Sequence, residues 1–481
     1  MSFYIGIDSL SIAHKLFAGI PQPSVVSWNT LISGYVHSGQ FRKALRLFLQ
    51  LDGSDVSADS FSFTTTLAAC GQLSFLRLGK SIHAKIAKSG VECSIFVANC
   101  LIDMYGKCGV VEDAVQMFEK VKDKDTITWN TVIAASARNR RLKQAFGFLH
   151  QMPNPDTISY NELINGVAQF GNIEDAIQIM SIMPSPNSSS WNSIITGYVN
   201  RDRAGEALDF FSRMHSKDVA MDQFTFSSIL SGIAGLSDLT WGILIHCCTV
   251  KCGLDSSTVV GSALIDMYSK CGQVKSAEII FQSLPRKNLV TWNAMISGFA
   301  HVGDSGRVIQ LFGQLKMERD LQPDGITFLN VLSACSHSRM PLEIAILYFQ
   351  SMIDDYGIEP TAEHCCSLIR LMGQWGEVGR AERMIIELGF GSCALVWRAL
   401  LGACGVSGDL KVGRTAAAKV IELEGNDDYV YVMLSNIYAR YEKWGHVREV
   451  REMMRREGVR KEAGYSWIEV GTVNANLFSL G

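Results

Sequence analysis

The pair Trp28-Asn29 returns as Trp129-Asn130, and Trp191-Asn192 returns as Trp292-Asn293, each 101 residues on. A long fixed period restricts a fold more than composition can, because every copy must be one supersecondary unit that leans on its neighbours. The period is composite. A phenylalanine-centred copy, Phe61-Ser62-Phe63, and a copy carrying Asp103-Met104-Tyr105 divide it into units of 35, 35 and 31 residues. A second period of 163 residues relates Asp103-Met104-Tyr105 to Asp266-Met267-Tyr268, His83 to His246, and Cys108-Gly109 to Cys271-Gly272. It is longer by two further short units, which begin at Thr126 and Thr157.

Each unit reads as two antiparallel helices. In the first unit Trp28, Leu31, Ile32 and Tyr35 recur at helical spacing, as do Phe41, Ala44, Leu45 and Phe48, and Gly39 marks the turn between them. One such hairpin cannot bury its own apolar face, so the expected fold is all-α: a right-handed superhelical solenoid of helix-turn-helix repeats. The frame places repeats at 25–59, 60–94, 95–125, 126–156, 157–187, 188–222, 223–257, 258–288, 289–324, 325–360 and 361–393. Residues 1–24 hold only a second-helix pattern (Ala13, Leu16, Phe17), which reads as a truncated repeat, expected to pack Leu10, Ala13, Leu16 and Phe17 on the unit starting at Val25. Residues 394–481 form a separate extension with two further helical hairpins, 396–424 and 428–458, and a basic run of Arg451, Arg455, Arg456, Arg460 and Lys461.

Composition narrows the partners. With 44 Lys and Arg against 47 Asp and Glu, the net charge of -3 excludes an indiscriminate electrostatic nucleic-acid binder, so a polyanion must be gripped locally. The longest apolar stretch, 229–250, is broken by Ser, Gly and Asp238, so a soluble protein is expected. The 13 cysteines include the adjacent pairs Cys247-Cys248 and Cys365-Cys366, a usage that suits a reducing compartment and small buried fillers.

The units resemble the pentatricopeptide repeat, and their alternation of 35 and 31 residues is similar to the P, L and S repeats of the plant PLS subfamily. Val25-Val26-Ser27-Trp28-Asn29-Thr30-Leu31-Ile32-Ser33-Gly34-Tyr35 looks like a P unit, Leu78-Gly79-Lys80-Ser81-Ile82-His83 like an L unit, and Ala98-Asn99-Cys100-Leu101-Ile102-Asp103-Met104-Tyr105 like an S unit. Glu363-His364, Leu400-Leu401-Gly402-Ala403-Cys404, Leu434-Ser435-Asn436-Ile437-Tyr438 and Ser466-Trp467-Ile468-Glu469 are similar to the last repeat and E-type extension of organellar RNA editing factors. The resemblance implies sequence-specific binding of single-stranded RNA, one base per repeat, chosen by the fifth and last residues of each unit. The implied base-recognition pairs are Asn29 with Asp59, Asn99 with Asp125, Asn130 with Asp156, Asn161 with Asn187, Asn192 with Asp222, Ser262 with Asn288, and Asn293 with Asp324. The L-type pairs Thr64 with Ser94, Ser227 with Ser257 and Leu329 with Pro360 depart from readable combinations.

Base-edge chemistry supports the readout. Uracil offers an N3–H donor and cytosine a bare N3 acceptor, so a carboxylate suits the first and an amide the second. A short Ser leaves room for a purine where Asn favours a pyrimidine. The second residues Val26, Phe96, Ile127, Ile158, Val259 and Val290 are expected to flank each base as apolar walls.

Plainer roles compete at some of these positions. Asp59, Asp125, Asp156, Asp222 and Asp324 each stand where they could cap the next helix. The Trp series, Tyr35, Tyr105 and Tyr268 lie on the apolar stripe and read as core. His83 and His246 read as packing or hydrogen-bonding residues, and the Arg-rich run as a solvated face.

No catalytic role is expected of the chain itself. None of its histidines is followed two residues later by Glu and no two cysteines are separated by two residues, so the zinc deaminase signatures are missing, as are the zincin, P-loop and dinucleotide motifs. No cofactor or metal is implied. The resulting expectation is an organellar site-recognition factor for C-to-U RNA editing that recruits a deaminase-bearing pentatricopeptide protein and other editing cofactors in trans. RNA stabilisation or splicing without editing, and a tetratricopeptide-type protein scaffold, are the alternatives. The fixed 34-residue period of the latter is not the one present. Residues 1–10 carry no Arg-rich transit pattern, so location follows from the resemblance alone, with the mitochondrion placed ahead of the chloroplast. The incomplete first repeat points to a truncated gene model.

Overall fold

The computed structural model describes residues 10–89, 94–318 and 321–460, and every regular element among them is an α-helix. The helices follow the expected hairpins: Val25–His37 with Phe41–Asp52, Ser60–Gln72 with Leu76–Ser89, and so on to Asp428–Arg440 with Trp444–Arg456. Two compact units divide them, the first reaching to Gly298, the second running from Phe299 to Met317 and again from Gln322 onward. The helix Leu289–His301 crosses the division.

Start and stop signals set each hairpin. Many first helices begin on Asp or Asn caps in extended backbone, and the capping boxes at Asp59, Asp156, Asn187, Asp222 and Asp324 answer two orphan N–H groups at once. The turn into the second helix takes a residue at positive φ in most repeats, glycine at Gly39 (73°) and Gly109 (82°), a region that costs glycine little.

Within the first unit, consecutive first helices pack on one another and the second helices lean on them from one side. Small residues bring the first helices close. A Cβ built on Gly166 would lie 2.3 Å from Ala137 Cβ, and one on Gly106 2.5 Å from Ala135 Cβ. This approach lets the fifth residue of one unit reach the cap of the next. Trp28, Trp191 and Trp292 are buried on the stripe as expected, as are Tyr35, Tyr105 and Tyr268. Phe17 meets Trp28 edge-on at 4.6 Å and Phe118 meets Trp129 at 4.9 Å. At the amino end Leu10, Ala13 and Phe17 are buried, but Leu16 is 46% exposed. The buried face follows i, i+3, i+7 from Leu10, and Leu16 sits off that line.

In the second unit the helix Ala394–Ser407 packs on the helix Ala362–Gln374, and the two terminal hairpins continue the stack. Here the cap is Thr361 rather than Pro360. His364 Nδ1 lies 3.1 Å from the Thr361 N–H and 2.8 Å from its hydroxyl, and His364 Nε2 lies 2.7 Å from the Gly325 carbonyl. Burial pushes the thiols of Cys70 and Cys404 up to about 12 and that of Cys335 to about 11, which suits inert filler. No described helix is long and apolar enough to cross a membrane.

Candidate nucleic-acid interface

The fifth residue of a unit lies one turn into its first helix, and the last residue caps the first helix of the next unit. Tight stacking therefore brings the two together. Asn29 Nδ2 donates to Asp59 Oδ1 at 2.9 Å, Asn130 Nδ2 to Asp156 Oδ1 at 3.3 Å, Asn161 Nδ2 to Asn187 Oδ1 at 3.2 Å, and Asn192 Nδ2 to Asp222 Oδ1 at 3.0 Å. Asn99 helps to hold the Asp125 carboxyl below its ordinary value. Four of the pairs named from sequence are thus directly joined.

The pair of Ser262 and Asn288 is built differently. Ser262 spends its hydroxyl on the Thr258 carbonyl at 2.8 Å and on Thr291 Oγ1 at 2.9 Å, and Thr291 bonds in turn to Asn288 Oδ1 at 2.9 Å. Threonine bridges that pair. Asn293 is buried in the first compact unit, and Asp324, in the second, caps its helix through Thr327.

The capping role and the pairing role coexist. Asp59 accepts from Ser62 N–H at 2.8 Å and Asp156 from Ser159 N–H at 2.8 Å, again through Oδ1. Cap and asparagine share one oxygen, so neither spends Oδ2. In Asn187 the same oxygen accepts from the Ser190 N–H at 3.2 Å, which leaves the Nδ2 amide as the group not spent. A carboxylate therefore retains an acceptor and an amide retains donors on the same scaffold. Burial pushes the carboxyls of Asp59, Asp125, Asp156 and Asp222 up. Hydrogen bonds from cap N–H groups, hydroxyls and asparagines outweigh it and hold all four below the usual carboxylate range, so they are anionic near neutrality.

The second residues stand out toward solvent. Val26, Phe96, Ile127, Ile158 and Val290 are 57% to 67% exposed, and Val259 is half-buried. Phe61, Phe224 and Ile326, at the same place in the L-type units, are as exposed and were not singled out from sequence. Their signal was the frame itself, which puts an apolar residue second in those units too. Also missed were the hydroxyls at the third position, Ser62, Thr128, Ser159, Ser190 and Thr225, all fully buried against these pairs.

The L-type joints lack the arrangement. Thr64 Oγ1 donates to its own Ser60 carbonyl at 3.0 Å, Ser94 and Ser257 cap without a side-chain bond, and Ser257 Oγ donates to Gln223 Oε1 at 2.9 Å. Histidine joins those neighbours instead: His83 Nδ1 lies 2.7 Å from the Tyr105 hydroxyl and His246 Nδ1 2.9 Å from that of Tyr268. In the terminal hairpin Arg448, Arg455 and Arg456 are exposed while Val447 and Val450 face inward, the solvated face expected. Arg451 donates to Ser435 Oγ at 3.2 Å. Lys461 and Ser466-Trp467-Ile468-Glu469 lie outside the described residues.

Repeated two-helix units with a recurrent polar contact between first helices define a helical-repeat protein. Comparison with known proteins makes this more specific. The PPR repeat model matches 96–126, 127–154, 158–185, 262–289 and 290–319, the PPR repeat family model 23–72 and 186–235, and the E motif 408–469. A putative pentatricopeptide repeat-containing protein of Arabidopsis thaliana is 54% identical over 98% of this chain and 82% of its own. Two others from that plant, named mitochondrial and chloroplastic, are 33% and 32% identical; this chain spans 64% and 47% of their lengths. The chain belongs to the pentatricopeptide repeat family and carries an E-type motif at its C-terminal side. Among solved structures, the pentatricopeptide repeat protein PPR10 in complex with an 18-nt psaJ RNA element is similar at 19% identity and a TM-score of 0.47, covering 95% of this chain and 68% of that one.

Proposed function

We propose that the chain binds single-stranded RNA in a plant organelle, one base per unit, and acts as a site-recognition factor for C-to-U editing whose deaminase comes from a partner protein. The observation that carries this reading is the joint: one oxygen of the last residue serves the fold and leaves its other polar group unspent. Membership of a family whose repeats each read one RNA base supports it. The E-type motif and the missing deaminase signatures favour recruitment over catalysis in this chain. Relatives named mitochondrial and chloroplastic support an organelle, with the mitochondrion preferred.

Read from amino end to carboxyl end as 5' to 3', the pairs give U, unspecified, U, U, C or U, U, unspecified, A, U, unspecified. Selection from a random RNA pool by the purified chain tests this. Enrichment of that pattern supports the reading, and equal recovery of all sequences contradicts it. Cross-linking in the organelle followed by sequencing tests the editing step: contacts just upstream of an edited cytidine are expected, and contacts remote from every edited site favour RNA stabilisation or splicing.

A further inference from the structure

The asparagines that pair with the caps are not all held alike. Ser62 Oγ lies 2.6 Å from Asn29 Oδ1, Ser159 Oγ 2.6 Å from Asn130 Oδ1, and Ser190 Oγ 2.6 Å from Asn161 Oδ1. In each case the amide oxygen accepts from serine while Nδ2 donates to the cap. The amide cannot turn over without breaking both bonds, so its unspent Nδ2 hydrogen is fixed as a donor. Every pyrimidine carries a carbonyl at C2, and a fixed donor suits it.

Those serine hydroxyls also lie 2.7 to 3.2 Å from the cap Oδ1, whereas a threonine in the third place reaches the cap alone: Thr128 Oγ1 donates to Asp125 Oδ1 at 2.7 Å and Thr225 Oγ1 to Asp222 Oδ1 at 3.0 Å. Asn99 Oδ1 and Asn192 Oδ1 are then buried with no hydrogen-bond partner. The β-branched threonine has fewer rotamers with which to turn its hydroxyl to the asparagine. An amide held through Nδ2 alone has one bond to lose on turning over rather than two.

We propose that the third residue of the following unit is a positioning residue for base selection. Serine (Ser62, Ser159, Ser190) locks the reading asparagine as a donor and sharpens its pyrimidine preference. Threonine (Thr128, Thr225) leaves it unlocked and its unit more permissive. This rests on the RNA reading above.

The experiment titrates fluorescein-labelled ten-nucleotide RNAs of the proposed pattern, varied only at the fifth or sixth base, against wild type, Ser190→Ala, Ser190→Thr and Thr225→Ser. Thermal unfolding of each protein is followed in parallel. Ser190→Ala and Ser190→Thr should lower discrimination between pyrimidine and purine at the fifth base by about threefold to tenfold, one hydrogen bond's worth. Thr225→Ser should raise it at the sixth base by a similar factor, with preferences elsewhere unchanged. If wild type discriminates and all three variants discriminate equally well, the positioning role is wrong while the RNA reading stands, even where unfolding temperatures shift. If wild type binds with no base preference at any position, the reading itself fails and the inference with it.

Discussion

Two kinds of joint connect neighbouring repeats in the first compact unit. At the joint between units 126–156 and 157–187, Asn130, Asp156 and Ser159 form one polar cluster that caps a helix and ties two units. At the joint between units 60–94 and 95–125, Ser94 makes no side-chain cap bond and Thr64 turns back to its own helix, while His83 and Tyr105 meet from the second helix of one unit to the first of the next. The contrast separates joints that cap and tie with one shared oxygen from joints that tie through the second helix. A joint that ties through Asn and Asp keeps polar groups at the first-helix layer, whereas one that ties through His and Tyr spends them elsewhere.

The largest expected effect that breaks this contrast is Asp156→Ala. Loss of a good cap costs about 1 to 2 kcal/mol locally, and hydrogen exchange in the first turns of Thr157–Phe170 should accelerate accordingly. Ser94→Ala should change exchange in Ile95–Lys107 by less than about 0.5 kcal/mol, as for a surface residue without a bond to lose. Equal effects would erase the distinction. Next comes His246→Phe, which strands the Tyr268 hydroxyl at an L-type joint and should cost about 0.5 to 1.5 kcal/mol, read from exchange in Thr258–Lys270.

Acid should part the two joints in order. Burial holds His246 below the ordinary histidine value of 6.5, so the unfolded chain takes up a proton first and this joint weakens as pH falls below that value. Asp156 has its pKa lowered, and its contribution is intact above the ordinary carboxyl value of 3.8 and lost as pH falls from there through its folded value. Exchange measured from pH 7 to pH 3 should show the Tyr268 helix loosening before Thr157–Phe170. His246→Phe should remove the first step, and Asp156→Asn should flatten the second while keeping the cap. Simultaneous loosening of both would contradict the assignment.

The smallest effect sharpens the contrast by transfer. Thr64→Asn with Ser94→Asp rebuilds the pair in an L-type unit, and discrimination at the second base in favour of uracil should appear, by a few fold at most, in RNA titration.

Much of this was legible in the sequence because a stacking period leaves one residue type at one place in every copy. Trp28, Trp191 and Trp292 mark the buried stripe, with Trp129 half-buried at the same place, and the Asn series marks the joint. That one oxygen of Asp59 or Asp156 serves both the cap and the asparagine could not be read from residue type, since the two carboxylate oxygens are chemically equal. The His83–Tyr105 and His246–Tyr268 contacts were invisible for a related reason: the partners lie 22 residues apart on different hairpins, and only packing brings them together. Ser62 and Ser159 were passed over because a hydroxyl in the first helical turn reads as ordinary capping chemistry. Leu16 misled because a two-residue apolar cluster does not say which member turns inward.

The central claim is that the last residue of a unit chooses its base while also capping a helix. Asn187→Asp tests it most directly, because the exchange is isosteric, preserves the Oδ1 cap to Ser190 and the contact with Asn161, and changes only the remaining group from amide donor to carboxylate acceptor. Titration of wild type and variant against RNAs differing only at the fifth base should show wild type accepting cytosine and the variant shifting to uracil by about 1 to 3 kcal/mol, a base-edge contact's worth. Identical preferences in the two proteins, with the helix Ser188–Val199 equally stable in both, would show that residue 187 caps and does not read.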